Sequence, residues 1–206
     1  MKNSDMEKGI LHLSVNDKRL AAIIKKAGSC TLKAHKNYYY SLLESIIGQQ
    51  LSVRVAEAIC KRFMTCFKGD PRPEDILASD DAILRQLGLS NAKVKYVKDL
   101  SQKLLDKEIS LKNIDKKSDE EIISELTRVK GIGQWTAHMF LIFTLCRPNV
   151  LPVGDLGIKR AVMLNYGLDD MPDEQIVREI AGSNNWHPYS TLASWYLWKS
   201  LEFKSA

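Results

Sequence analysis

The stretch Leu126-Thr-Arg-Val-Lys-Gly-Ile-Gly-Gln-Trp-Thr-Ala137 constrains the fold of this chain more than any other. It reads as a helix, a tight Gly-x-Gly hairpin and a second helix, because two glycines within three positions close one helical pattern and open the next. Gly131 and Gly133 both permit positive φ, so the loop can turn sharply and aim main-chain amides outward beside the N-terminus of the following helix. A nest of amides of this kind suits a phosphate oxygen. Downstream, Leu151-Pro-Val-Gly-Asp155 enters the pattern Leu156-Gly-Ile-Lys-Arg-Ala161, which puts a lone carboxylate at the start of another helix.

Apolar spacing elsewhere is helical as well. Asn16 precedes a short helix that Gly28 closes, and Tyr38 to Ile47 is amphipathic and broken at Gly48-Gln-Gln50. Ser52 caps a helix carrying Val53, Val55, Ala56, Ile59, Phe63 and Phe67, with Cys60 and Cys66 in the same apolar pattern as small hydrophobes. Pro71 and Pro73 mark a loop, one or two short helices occupy Glu74 to Leu87, and Ser90 caps a helix bearing Val94, Val97, Leu100, Leu104 and Leu105. Ser118 and Glu121 form a capping box for the helix that ends at the hairpin. Beyond the hairpin, Trp135, Met139, Phe140, Ile142 and Phe143 make the next helix apolar on nearly every side, which predicts a path through the core. Helices around Ile158 to Asn165, Pro172 to Ile180 and Ser190 to Phe203 complete the chain, with no pair of alternating strands and no internal repeat. The expected class is all-α.

Composition narrows the function without deciding it. A net charge of +5 over 206 residues draws a chain toward polyanions but is far from a histone-like excess. Cys30, Cys60, Cys66 and Cys146 match neither a zinc ribbon nor a close-set iron–sulfur run, so no disulfide framework is implied and a reducing compartment is expected. The first residues lack the apolar run of a signal peptide, and no apolar stretch is long enough to span a bilayer. A soluble, intracellular protein is expected.

Four segments in order carry a family resemblance: Ile46-Ile-Gly-Gln-Gln-Leu-Ser52, Val129 to Ala137, Leu-Pro-Val-Gly-Asp155, and Trp186-His-Pro-Tyr189 with Trp195-Tyr-Leu-Trp198. Together they resemble the helix-hairpin-helix (HhH-GPD) DNA glycosylases, and within them the AlkA and yeast Mag-type DNA-3-methyladenine glycosylases. The resemblance implies two helical subdomains with the active site in a cleft between them. Residues 38–154 would form one, and 1–37 with 155–206 the other. The residues before Tyr38 are too few for the β-rich N-terminal domain of AlkA proteins, so the compact Mag-like form is expected.

By the same resemblance Asp155 is the catalytic aspartate. On its own an aspartate in this place is an ordinary N-cap, and the two roles cooperate, since a helix N-terminus stabilises negative charge. Trp135 stands where bifunctional relatives carry the lysine that forms a Schiff base. An indole cannot be that nucleophile, which implies a monofunctional enzyme. Trp135 and Trp198 match aromatics of the base pocket, where stacking favours a cationic base, although tryptophan at helical spacing is also ordinary core. Met139 replaces an AlkA-type tyrosine, and Tyr40, with Tyr38, Tyr39 and Tyr196, is a candidate to fill that place. Gln50 aligns with the wedge that occupies the gap left by a flipped nucleotide. Phosphate contact is assigned to the amides of Gly131 and Gly133, with Thr136 and Lys130 assisting.

No required cofactor is implied. The family's hairpin carbonyls, here those of Thr127, Val129 and Ile132, can hold Na+ or K+. No cysteine follows Asp155, so the C-terminal iron–sulfur cluster of some relatives is not expected. The implied partner is double-stranded DNA containing alkylated bases, bound by a monomer in the nucleoid or nucleus. The competing class is a non-catalytic helix-hairpin-helix module that recognises damaged DNA.

Overall fold

The computed structural model describes residues 3–69 and 71–203, and these are all-α. The chain divides into two compact units, Met1–Ala34 with Leu141–Ala206, and His35–Phe140. None of the described helices is long and apolar enough to cross a membrane.

The unit built from the two chain ends begins with α1 (Asn3–Asn16) and α2 (Lys18–Ala27). The patterning does not announce α1, because exposed Leu11 and Val15 blur its apolar stripe. Docking organises it instead: Leu13 is fully buried, and a Cβ on Gly9 would lie 2.5 Å from Leu192 Cδ1, so only glycine admits this approach. The cap of α2 is Asp17 rather than Asn16; its carboxylate accepts the amides of Arg19 and Leu20.

The His35–Phe140 unit contains α3 (Tyr38–Gly48), α4 (Val53–Cys66), α5 (Pro73–Ala78), α6 (Asp81–Gln86), α7 (Asn91–Leu105), a 3-10 turn at Ile114–Lys116, α8 (Asp119–Leu126) and α9 (Gln134–Met139). Leu42, Leu43, Ile46 and Ile47 bury one face of α3 completely, each stabilising by about 1.5–3 kcal/mol. The capping box of α8 forms, with Ser118 N–H donating to Glu121 Oε2 at 2.7 Å and Glu121 N–H to Ser118 Oγ at 3.2 Å. Ser52 precedes α4 as expected, but its hydroxyl makes no cap bond. One further expectation fails on α4: Cys66 is exposed near its end, and at the start of the helix Val53 and Val55 also face solvent.

After α9 the helix widens into a π turn at Phe140–Thr144, and α10 (Leu156–Tyr166), α11 (Glu174–Ser183) and α12 (Ser190–Glu202) return to the first unit. Residues 141–154 therefore belong with the chain ends, not with the central segment to which the sequence reading assigned them. The reason is visible at Thr191 on α12: its Oγ1 accepts Val150 N–H at 2.9 Å and donates to Arg147 O, and its N–H donates to Pro148 O.

Asp17 ties this unit together. It is 1% exposed, and beyond its two cap bonds its Oδ2 accepts the Tyr166 hydroxyl and, at 2.8 Å, the Trp186 indole N–H. Burial and the Asp17 carboxylate push the Tyr166 phenol far above its ordinary value, so it stays a donor. Asp17→Ala would leave these buried donors without an acceptor, for a loss on the order of 3 kcal/mol. At about 2–4 °C per kcal/mol for a chain of this size, thermal melting should fall by roughly 6–12 °C.

Candidate functional site

In the unit built from the chain ends, Asp155 caps α10. Its Oδ1 accepts Ile158 N–H at 2.8 Å and the Trp198 indole N–H at 2.8 Å. The extended Leu-Pro-Val-Gly entry sets this up, for Asp155 N–H donates to Pro152 O in a tight turn and the aspartate keeps extended dihedrals. Two donors on one oxygen fix the plane of the carboxylate, so its direction does not depend on side-chain rotation. Trp198 stacks on Phe143 with ring centroids 5.6 Å apart. Phe143, expected in the core, is 41% exposed, and the resulting aromatic face beside an oriented carboxylate suits a flat, electron-poor group. The sequence carries no signal for this role, because an aromatic at helical spacing reads as core.

In the His35–Phe140 unit, the two hairpin glycines do different work. Gly131 has φ +83°, and a Cβ there would lie 2.2 Å from the Tyr96 ring. Gly133 has an ordinary φ of −94° and serves as the N-cap of α9, with nothing within 4 Å of an added Cβ. The expectation of left-handed geometry thus holds at Gly131 and fails at Gly133, where the fold leaves open space. Among the described residues, the amides of Gly131 and Gly133 have no partner inside the protein.

Two expected helpers are placed otherwise. Thr136 is 4% exposed and its Oγ1 lies 3.4 Å from Gln49 Nε2, which leaves the hydroxyl inside the unit rather than toward a ligand. The Lys130 amide donates to Asp99 at 2.8 Å, and its ammonium, largely exposed, sits 3.6 Å from the same carboxylate. Lys130 therefore offers charge through its side chain only. Of the three proposed cation-binding carbonyls, that of Val129 accepts Ile132 N–H at 3.1 Å, and Thr127 is the C-cap of α8.

Gln50 is exposed, with φ +57°, in the turn between α3 and α4. It lines a recess of about 400 Å³ together with Gln49, Trp135 and Glu44. Trp135 is 48% exposed, so the expectation that its helix runs through the core does not hold at this side chain. Glu44 on this wall was not singled out by the sequence, because a glutamate on the polar face of a helix is unremarkable in one chain. Burial raises its carboxyl above the usual range. Tyr40 and Met139 are half-buried and do not line this recess. The Tyr40 phenol is pushed up to about 12, first by burial and then by Glu44. Two other tyrosine candidates are structural: Tyr39 hydrogen-bonds Ser101 at 2.7 Å, and fully buried Tyr196 donates to Gly28 O at 3.0 Å.

The family described as HhH-GPD superfamily base excision DNA repair protein matches residues 43–184. The chain is 33% identical over 204 residues to the alkylbase DNA glycosidase-like protein mag2 of Schizosaccharomyces pombe, covering 96% of this chain and 95% of that protein. It is 34% identical over 190 residues to the putative DNA-3-methyladenine glycosylase YfjP of Bacillus subtilis, covering 89% of this chain and 66% of that one. Among solved structures, the 3-methyladenine DNA glycosylase Mag1 of Schizosaccharomyces pombe in complex with abasic DNA is similar with a TM-score of 0.86 and 32% identity, covering 95% of this chain and 97% of that chain.

Proposed function

The chain belongs to the HhH-GPD superfamily of base excision DNA repair proteins, and from that premise we propose that it is a monofunctional DNA glycosylase that excises alkylated purines by hydrolysing the N-glycosidic bond. The observation that carries this reading is Asp155, a carboxylate oriented by a helix amide and by the Trp198 indole. As the base departs, positive charge develops on the sugar; the fixed carboxylate stabilises it and then orients or deprotonates water. A purine such as 3-methyladenine already carries positive charge and leaves without a protein general acid. A module that only binds damage would use this carboxylate as a helix cap alone and would release no base.

The other residues take roles consistent with their placement. Gly131 and Gly133 present unpartnered amides to phosphate, and the Lys130 ammonium adds charge. The exposed indole of Trp135 and the half-buried indole of Trp198 are suited to a cationic base, and Gln50 in its exposed turn is suited to fill the gap in the base stack. The carbonyls of Thr127, Val129 and Ile132 are hard, neutral oxygens fit for Na+ or K+, and Val129 keeps one lone pair after its turn bond. A cation bound there would supply positive charge to the phosphate grip. The likeness to Mag1 bound to abasic DNA supports double-stranded DNA as the partner, and the site of action is then the nucleoid or nucleus.

The test is release of free base from duplexes carrying 7-methylguanine, 1,N6-ethenoadenine or hypoxanthine, and of 3-methyladenine from methylated genomic DNA. Release from none of them overturns the assignment. Because position 135 is tryptophan, the strand should stay intact until alkali is added and borohydride should trap no covalent adduct. A trapped adduct, read on a denaturing gel, would contradict the monofunctional reading.

A further inference from the structure

Gln50 occupies the left-handed region, which is strained for a non-glycine residue, so its turn must be held by its surroundings. Two contacts hold it. From the first turn of α7, the Lys93 ammonium donates to Ile47 O and to Gln49 O, both at 2.8 Å, and so closes the C-terminal end of α3. From the turn itself, Gln49 Nε2 donates to Gly131 O at 2.7 Å. All four residues lie in the compact unit His35–Phe140, so the contacts form one continuous link from α7 through the Gln50 turn to the hairpin.

Lys93 is an unusual choice if stability alone is at issue. It is half-buried, burial lowers its proton affinity, and among the described residues it has no carboxylate partner; both bonds go to main-chain oxygens. An apolar side chain of similar length would fill the space without the desolvation cost of an ammonium. What it would not do is fix the directions of the Ile47 carbonyl at the end of α3 and the Gln49 carbonyl in the turn, and with them the direction of Gln50.

We infer that Lys93 and Gln49 are positioning residues for base extrusion, which hold the Gln50 turn in fixed register with the hairpin so that gripping the phosphate backbone delivers Gln50 to the base stack. The inference rests on the proposed roles of Gln50 as wedge and of the hairpin as phosphate grip. Neither residue needs to touch the reacting atoms. Loss of register spoils extrusion and leaves both the backbone grip and the chemistry at Asp155 intact.

The experiment compares the parent with Lys93→Met, Gln49→Met and Lys93→Arg. Unstacking is followed by stopped-flow fluorescence of 2-aminopurine beside the lesion, base release by single-turnover kinetics, and folding by thermal melting. Lys93→Met and Gln49→Met should bind undamaged duplex within about twofold of the parent, since the hairpin is retained. Their unstacking signal and base release should fall by roughly tenfold to a hundredfold. On a substrate whose lesion sits in an unpaired bulge, where extrusion needs no wedge, release should recover toward the parent rate, and Lys93→Arg should retain most of the signal on the paired duplex. An equal loss on paired and bulged lesions, or parent kinetics in both methionine variants, overturns the inference. A parent that releases no base overturns the glycosylase reading and this inference with it; an active parent beside unchanged variants overturns this inference alone. Gln49→Met leaves the Lys93 bonds in place, so it decides the matter even if Lys93→Met fails to fold.

Discussion

Asp155→Asn is expected to slow base release by roughly 10²- to 10³-fold, about 3–4 kcal/mol of lost transition-state stabilisation, while leaving the fold unchanged. The substitution removes charge and little else. An amide oxygen at the same place still accepts the Ile158 N–H and the Trp198 indole, so the cap of α10 and the orientation of the side chain persist. Only the anion that opposes the developing sugar cation is gone. Single-turnover release of 7-methylguanine, run beside thermal melting, separates the two effects. A variant with parent rate and parent melting would show that Asp155 is only a helix cap. Trp198→Phe keeps a ring to stack on Phe143 but removes one of the two donors, and should cost about 1.5 kcal/mol, near tenfold in rate.

The second large effect separates the two hairpin glycines. Gly133→Ala meets ordinary backbone angles and empty space, so the protein should melt at the parent temperature. If the hairpin grips phosphate, a methyl added beside its unpartnered amides crowds the anion, and affinity for duplex DNA should fall by about tenfold or more on every sequence alike. Gly131→Ala is different in kind. It forces a left-handed residue against the Tyr96 ring, which must move, so the fold should lose on the order of 2–4 kcal/mol. Melting together with fluorescence-anisotropy binding to undamaged and lesion-bearing duplexes distinguishes them. A lesion-specific loss in Gly133→Ala would mean that the hairpin does not hold phosphate.

The helical boundaries were legible because they depend on near neighbours. The Ser118–Glu121 box, the Ser90 cap of α7 and the break at Gly48 all arise within one helical turn of sequence. The start of α2 falls one residue beyond Asn16 because Asn16 and Asp17 are both good caps, and Asp17 also binds Tyr166 and Trp186 far along the chain. The helix after the hairpin departs from its apolar pattern for a related reason. Apolar residues on every side predict burial, yet Trp135 and Phe143 are presented to solvent beside polar groups that periodicity does not register.

By itself, the sequence determined what local chemistry decides: an all-α chain, a glycine hairpin able to expose amides, a carboxylate at a helix start, and an indole, not an amine, at position 135. Only the tertiary structure decided which glycine the fold requires and which it leaves open, since the ring of Tyr96 makes that distinction. It also decided that Trp198, 43 residues from Asp155, fixes the carboxylate, and that Gln49, 82 residues from Gly131, ties the Gln50 turn to the hairpin. The physical reason is range. Backbone propensity and capping act over a few residues and leave a periodic trace, whereas a hydrogen bond between side chain and distant partner depends on how whole helices pack and leaves none.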